Sequence, residues 1–172
     1  MKKAGQAEVA IIVAISGKGR GVGNLGKLLW HISEDLKQFK RLSLGHPVIM
    51  GRRTFESIEQ YLRGPLPGRT NIVITRNPTW QRESVLTFSS LEEALEHAHT
   101  LDTERIVIGG GSEVYTQALP HTNKLYLTII DDKKEADVFF PPYEHLFTRK
   151  TREEKRTDEK TGLSYTWLDL ER

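Results

Sequence analysis

Four short aliphatic runs constrain this chain most: VAIIVAIS (Val9–Ser16), PVIM (Pro47–Met50), NIVIT (Asn71–Thr75) and RIVI, which runs into GGG at Gly109–Gly111. A strand with one wet face alternates apolar and polar residues. A run without alternation reads as a strand buried on both faces, the habit of parallel sheets. Segments of helical period separate these runs. Ser33 to Leu42 is one, with Ser33 as N-cap; Arg52 to about Tyr61 is the second, opened by Gly51. SSLEEALEHAH is the third, with Ser90 as N-cap and Glu93 at the capping-box position. SEVYTQAL is the fourth, stopped by Pro120. SVLTF near Val85 and NKLYLTIID are further strands, RGPLPGRT is a turn, and residues 17–30 are a loop. Phe147–Thr157 and Leu163–Leu170, joined through DEKTG, read as a closing hairpin. Strands alternating with helices give an α/β fold whose sheet is mostly parallel with an antiparallel C-terminal edge.

The start, MKKAGQAEVAIIVAIS, has the lysines and apolar run of a secretory leader. The run is short, Glu8 precedes it and no small-x-small site closes it, so a buried strand accounts for it better. No apolar run is long enough to span a membrane. With no repeat, linker or low-complexity tract, residues 1–172 read as one domain, 1–8 being a flexible extension, and a cytoplasmic monomer is expected. The chain has no cysteine, which excludes a disulfide framework and thiolate chemistry, and no metal site is expected. A net charge of +2 gives no support for binding nucleic acid or a membrane surface.

GVGNLG (Gly21–Gly26) matches the dinucleotide fingerprint G-x-G-x-x-G letter for letter. The context fails. The strand ends near Ser16, too early, and the next helix waits for Ser33, too late to aim its N-terminus at a phosphate held there. The acidic ribose ligand expected about 20 residues on is missing. These glycines read instead as a mobile loop.

Two other junctions suit phosphates. In VIMGRRTFESI, Gly51 turns the backbone and the amides of Arg52–Thr54 leave a helix N-terminus, with Arg52 and Arg53 adding charge. In VIGGGSEVY, three glycines precede a helix starting near Ser112 and form a second anion nest. Each alone could be a tight turn with solvated arginines. Together, with Arg76 after a third strand, they suggest two or more phosphates of one ligand held across the C-terminal edge of the sheet.

WHISEDLKQFKRL is the most informative segment. On a helix, Ile32, Leu36, Phe39 and Leu42 define one apolar face. Glu34 lies opposite, near Lys37, Gln38 and Arg41, while Asp35 lies within roughly 45–50° of the apolar centre. One reading is a desolvated carboxylate of raised pKa, suited to binding or protonating a cationic heterocycle. The other is a first-turn acid that favours the helix dipole or pairs with a lysine. Trp30 supplies an aromatic ring or indole N–H beside the same cleft, or ordinary core packing.

In family order, AIIVAIS, the loop ending in Trp30, DLKQFKR after Asp35, PVIMGRRTFESI, PLPGRTNIVITR, VIGGGSEVY, LYLTIID and ADVFFP resemble dihydrofolate reductases of the bacterial type, from about Val9 to Leu170. The resemblance implies a mixed sheet of about eight strands flanked by four helices, not a Rossmann fold. It implies reduction of 7,8-dihydrofolate by NADPH, hydride passing to pterin C6 with N5 protonated. Asp35 matches the acid that binds the pterin and promotes protonation through a water, and Trp30 the tryptophan that orders that water. Leu28 matches the mobile-loop residue over nicotinamide and substrate. Thr128 matches the threonine bonded to the acid and the pterin amino group. Val13, Ala14, Leu36, Phe39, Ile58 and Leu66 would meet the substrate, and Arg69 the carboxylate of its glutamate tail, a forked task that lysine does poorly. For NADPH, Ala14 and Ile15 would offer backbone to the carboxamide. Val22, Gly23, Gly51, Arg52, Arg53, Thr54, Thr75 and Arg76 would also meet the cofactor. Gly110, Gly111, Ser112, Glu113 and Val114 would bind the pyrophosphate, Gly109 and Tyr115 would also meet the cofactor, and the family's cis bond would fall at Gly110–Gly111 or, alternatively, Gly109–Gly110. Antifolate inhibitors are implied as further ligands.

The chain departs from the family pattern in places. Leu28-Leu29-Trp30 stands where Leu-Pro-Trp is usual, which frees φ and restores an N–H. Ser33 replaces a common proline, and IEQYLRGPLPGR is a few residues longer than the usual bacterial link. Three rival readings fit less well. A same-fold pyrimidine reductase of riboflavin synthesis should lack Trp30, Asp35 and Arg69 together. A Rossmann dehydrogenase fails on spacing. A basic nucleic-acid module leaves the apolar-faced Asp35 unexplained.

Overall fold

The computed structural model describes residues 5–102 and 104–172. The chain lays its first aliphatic run, β1 (Glu8–Ser16), in the middle of an eight-stranded sheet. β7 (Arg105–Gly110) and β8 (Lys124–Ile130) flank it, both parallel. Beyond β7 follow β4 (Pro47–Gly51), β5 (Thr70–Ile74) and β6 (Val85–Phe88), all parallel. Beyond β8 lie β11 (Ser164–Glu171) and β10 (Arg149–Thr157), both antiparallel. The expected parallel sheet with an antiparallel C-terminal edge is therefore the one observed.

Alternate residues of β1 bury on opposite faces, as period two requires. Val9, Ile11, Val13 and Ile15 pack towards α3 (Leu91–Leu101) and α4 (Ser112–Ala118). Ala10 and Ile12 pack in the cluster of Phe55 on α2 (Arg52–Leu62), with Phe39 and Leu42 of α1 (Ser33–Ser43) against it. The sheet is thus covered on both sides, which is why its central strands carry no polar alternation. The parallel strands all end at one edge, where the loops leading into α1, α2 and α4 begin.

Several expectations need correction. Of the extension expected over 1–8, residues 1–4 lie outside the described residues. Ala7 is buried and Glu8 accepts a hydrogen bond from Arg105 Nε at 3.0 Å, so packing begins earlier than expected. The loop read over 17–30 contains a hairpin, β2 (Gly21–Asn24) and β3 (Lys27–Leu28), and β9 (Val138–Phe139) completes a small three-stranded sheet. Its two-residue turn, Leu25 and Gly26, has positive φ at both positions, the twist a tight hairpin prefers. A Cβ on Gly21 would lie 3.0 Å from Ala136 Cβ, and one on Gly23 3.0 Å from the Lys27 carbonyl oxygen. Two of the GVGNLG glycines thus allow close strand packing, and a third allows a turn.

Ser33 does not cap α1. The N-cap is Ile32, without a side-chain cap, and Glu34 and Asp35 supply first-turn charge instead. Ser90 does cap α3, accepting from the Glu93 N–H at 3.2 Å. The Glu93 carboxylate accepts from Ser89 Oγ at 3.0 Å, outside the expected capping box. Pro120 lies in a short 3-10 turn, Leu119–His121, that ends α4.

Candidate active site

One row of side chains crosses four strands at the edge where the parallel strands end. The registers pair Ala14 with Thr128, Thr128 with Trp167, and Trp167 with Glu154. Asp35, in the first turn of α1, meets this row. Thr128 Oγ1 donates to Asp35 Oδ1, and Trp167 Nε1 donates to the same oxygen at 3.1 Å. Both donors are buried. Burial pushes the Asp35 carboxyl above the usual carboxylate range, and the two hydrogen bonds pull it back only in part. Asp35 thus turns to the apolar side, while Glu34 pairs at 3.1 Å with exposed Lys37. Gln38, expected near Glu34 on the solvated side, is buried instead, and Arg152 Nη1 donates to it at 3.4 Å.

Asp35 opens into a crevice lined by Ala14, Val22, Leu28, Trp30, Leu36 and Ile130. Leu28 and Leu36 leave large apolar surfaces exposed there, at 52% and 41%. Exposed leucines facing a carboxylate make a slot for a flat ligand with an apolar body and a polar edge. Trp30 is buried, and its indole donates away from Asp35, to Asp132 Oδ2 at 2.9 Å, which favours the ionised form of that acid. Leu29 is buried beside Trp30, and Lys134 Nζ donates to its carbonyl at 2.9 Å. Phe39 and Ile58 pack partly buried at the margin of the α1/α2 core.

Arg69 lies at the far end of α1. Its Nη1 donates to Ser43 Oγ at 3.2 Å, and its Nε is buried without a partner among the described residues. Asn71 braces the loop that carries it: its side chain bonds both backbone groups of Leu66 at 3.0 Å and the Arg69 carbonyl at 3.2 Å. An orphaned guanidinium N–H on a clamped loop suits a carboxylate partner.

Where β4 and β7 end, two helix starts converge. Gly51 is the N-cap of α2, and Gly111 that of α4, neither with a side-chain cap. A Cβ on Gly51 would touch the Gly110 carbonyl oxygen at 3.8 Å and Gly111 N at 3.9 Å, and one on Gly111 would meet Thr54 Oγ1 at 3.4 Å. Gly110 has φ +104°, and a Cβ there would lie 2.8 Å from the Tyr115 ring; only glycine fits. The Gly110–Gly111 peptide is cis. Arg52 bonds Glu56 at 2.9 Å, and Arg53 is exposed. Arg76, highly exposed, sits 3.5 Å from Glu113, and Thr75 and Arg76 line a groove that runs on to Ser89. Unpaired first-turn amides beside arginines and a backbone cradle fit a phosphorylated ligand.

Not every residue singled out in the sequence has its side chain at the crevice. Val13 and Ile15 point into the α3/α4 core, leaving Ala14 to face Asp35. Val114 and Tyr115 are buried in the same core, and Ser112 Oγ is bonded to the Phe139 backbone. Trp167, Asn71 and Asp132 were not anticipated. Only the period-two pattern of SYTWLDL, which puts Tyr165, Trp167 and Asp169 on one face, carried any signal for Trp167.

A sequence model of the family described as dihydrofolate reductase matches residues 8–172. The chain is 42% identical over 152 residues to dihydrofolate reductase type 3 of Salmonella typhimurium, covering 88% of this chain and 90% of that one. It is 38% identical over 157 residues to the dihydrofolate reductase of Neisseria gonorrhoeae, covering 91% and 94%. The solved dihydrofolate reductase of Enterococcus faecalis, complexed with NADP(H) and RAB-propyl, superposes with a TM-score of 0.87 at 37% identity, covering 97% of each chain. With the family matched over nearly its whole length, the chain belongs to the dihydrofolate reductase family.

Proposed function

We propose that this chain reduces 7,8-dihydrofolate to 5,6,7,8-tetrahydrofolate with NADPH, and that Asp35 holds the pterin. The observation that carries this reading is the desolvated Asp35 carboxylate on its Thr128–Trp167 support, facing exposed Leu28 and Leu36. Both protein donors reach Oδ1, so the lone pairs of Oδ2 are open to ligand N–H groups. A pterin edge offers two, N3–H and the 2-amino group. The Thr128 hydroxyl, whose O–H donates to Asp35, keeps its own lone pairs for the amino group. Favouring charge on the pterin side, Asp35 promotes protonation at N5, with water as the carrier at the crevice mouth beside Leu28 and Trp30. Leu36 and Phe39 flank the ring, Ile58 and Leu66 follow the tail, and Arg69 takes its carboxylate through its guanidinium.

The residues present fit NADPH. Arg52, Arg53, Thr54 and Arg76 would hold its phosphates and adenosine end. The Gly110–Gly111 cradle with the first turn of α4 would hold the pyrophosphate, and the Ala14 backbone the carboxamide. Bound there, NADPH supplies the hydride that reaches pterin C6. The β2–β3 hairpin would exclude water by covering this junction. The test is the fall in NADPH absorbance on adding dihydrofolate, with inhibition by a 2,4-diaminopyrimidine antifolate. Turnover that antifolate titrates stoichiometrically supports the assignment; no turnover with dihydrofolate refutes it.

A further inference from the structure

We propose that Trp167 is a positioning residue for Asp35: latched by the Arg152–Glu154–Arg156 ladder of β10, its indole N–H holds Oδ1 and keeps the carboxylate ionised with Oδ2 turned to the crevice. Three observations carry this. Trp167 Nε1 donates to Asp35 Oδ1 at 3.1 Å from a buried ring, so the contact is fixed by packing and not by a mobile side chain. The guanidinium carbons of Arg152 and Arg156 lie over that ring, 4.9 Å and 4.3 Å from its centroid. Glu154, paired with Trp167 in the strand register, binds both arginines: Arg156 Nη1 at 2.8 Å and Arg152 Nη2.

The physical consequence is directional. A cation on the face of an indole draws electron density from the ring and makes its N–H a stronger donor. A stronger donor to a carboxylate oxygen favours the charged form. Tyr165 meets the Trp167 ring edge-on, centroids 5.9 Å apart, and fixes its tilt. Arg152 also donates to buried Gln38, one turn along α1 from Asp35, which ties the ladder to the helix that bears the acid. Other charged groups stand on the neighbouring elements, and the shift of Asp35 is set by burial, Thr128 and Trp167. On α1 they are Glu34 and Lys37, which pair with each other. On β11 it is Asp169, two residues beyond Trp167 on the same face, its Oδ1 buried without a partner among the described residues. After β8 they are Asp132 and Lys134, held to Trp30 and the Leu29 carbonyl. Among the described residues none of these donates to Asp35, and Thr128 and Trp167 do.

This inference deepens the proposed role of Asp35, yet its test is independent of the substrate. The full chain, unliganded and labelled with 13C at aspartate carboxyls, is titrated by NMR, and the Asp35 signal is assigned by its loss in Asp35→Asn. Trp167→Phe keeps an aromatic ring and removes the N–H. The Asp35 midpoint then rises by about 1 pH unit, the worth of one hydrogen bond to a charged group. Arg156→Gln, on the outermost strand, raises it by roughly half as much. Lys155→Gln, an equal loss of charge on the opposite, exposed face of β10, leaves it in place. An unmoved midpoint in Trp167→Phe overturns the proposal. If that variant does not fold, Arg156→Gln decides alone, and a midpoint no different from Lys155→Gln overturns it. A shift in Trp167→Phe without one in Arg156→Gln removes the ladder from the account. Absence of dihydrofolate turnover would refute the proposed reaction and leave this titration as it stands.

Discussion

Replacing Thr128 by valine removes one hydroxyl and almost no volume, so it isolates one hydrogen bond at the acid. Thr128 is buried at 3% exposure and donates to Asp35 Oδ1. A hydrogen bond to a charged group contributes about 1.5–3 kcal/mol, and at about 1.4 kcal/mol per unit its loss raises the Asp35 midpoint by roughly 1–2 pH units. The sign follows from burial. The folded Asp35 value already lies above the ordinary 3.8 because desolvation outweighs its two donors. Thr128→Val raises it further, so the folded state carries an ionised carboxylate with less support. The stability loss is fully present above the folded value of the variant. It fades as pH falls through the folded value of the wild type, where Asp35 is protonated in both proteins. Urea unfolding of both proteins at two pH values, one above the variant's measured Asp35 midpoint and one below the wild type's, measures this. The gap should approach about 1.5–3 kcal/mol at the higher pH and narrow at the lower. A loss equal at both would mean that Thr128 serves packing alone, and that its bond to Asp35 does not favour the charged form.

Arg69→Leu should weaken dihydrofolate and glutamate-bearing antifolates by about 10–100-fold, the worth of a charge-assisted pair, with NADPH affinity unchanged in fluorescence titration; an equal loss for NADPH would contradict the tail assignment. Leu29→Pro should slow exchange of the β2–β3 hairpin in relaxation-dispersion NMR, since proline fixes φ where Leu29 now packs beside Trp30. Unchanged exchange would mean that the departure from the family proline is neutral.

Much of the fold was legible because burial writes itself into sequence where both faces of a strand are covered. VAIIVAIS, PVIM, NIVIT and RIVI are such strands, and their order with four helical segments set the sheet. Asp35 was legible for a related reason: a 100° step per residue places it beside Ile32, Leu36 and Phe39 without tertiary knowledge. The β2–β3 hairpin was not, because its strands are short and glycine-rich and their pairing depends on contact with Val138 and Phe139, over a hundred residues away. Trp167 was hidden likewise. Its partner lies 132 residues earlier, and only the register of β11 on β8 brings the two together. Gln38 misled for the opposite reason: a polar residue on the solvated side of a helix is buried here because Arg152 of the last hairpin folds over it. The GVGNLG letters misled because a motif of glycines records freedom of the backbone and not what the freedom is used for.

The central claim is that Asp35 binds the pterin and promotes its protonation, and Asp35→Asn tests it most directly. Asparagine keeps an oxygen to accept from Thr128 and Trp167 while removing the charge. Steady-state oxidation of NADPH with dihydrofolate at pH 7 should fall by about 100-fold or more, recover in part at low pH where the substrate is already protonated, and leave NADPH binding intact. An Asp35→Asn enzyme as fast as wild type at pH 7 would contradict the account.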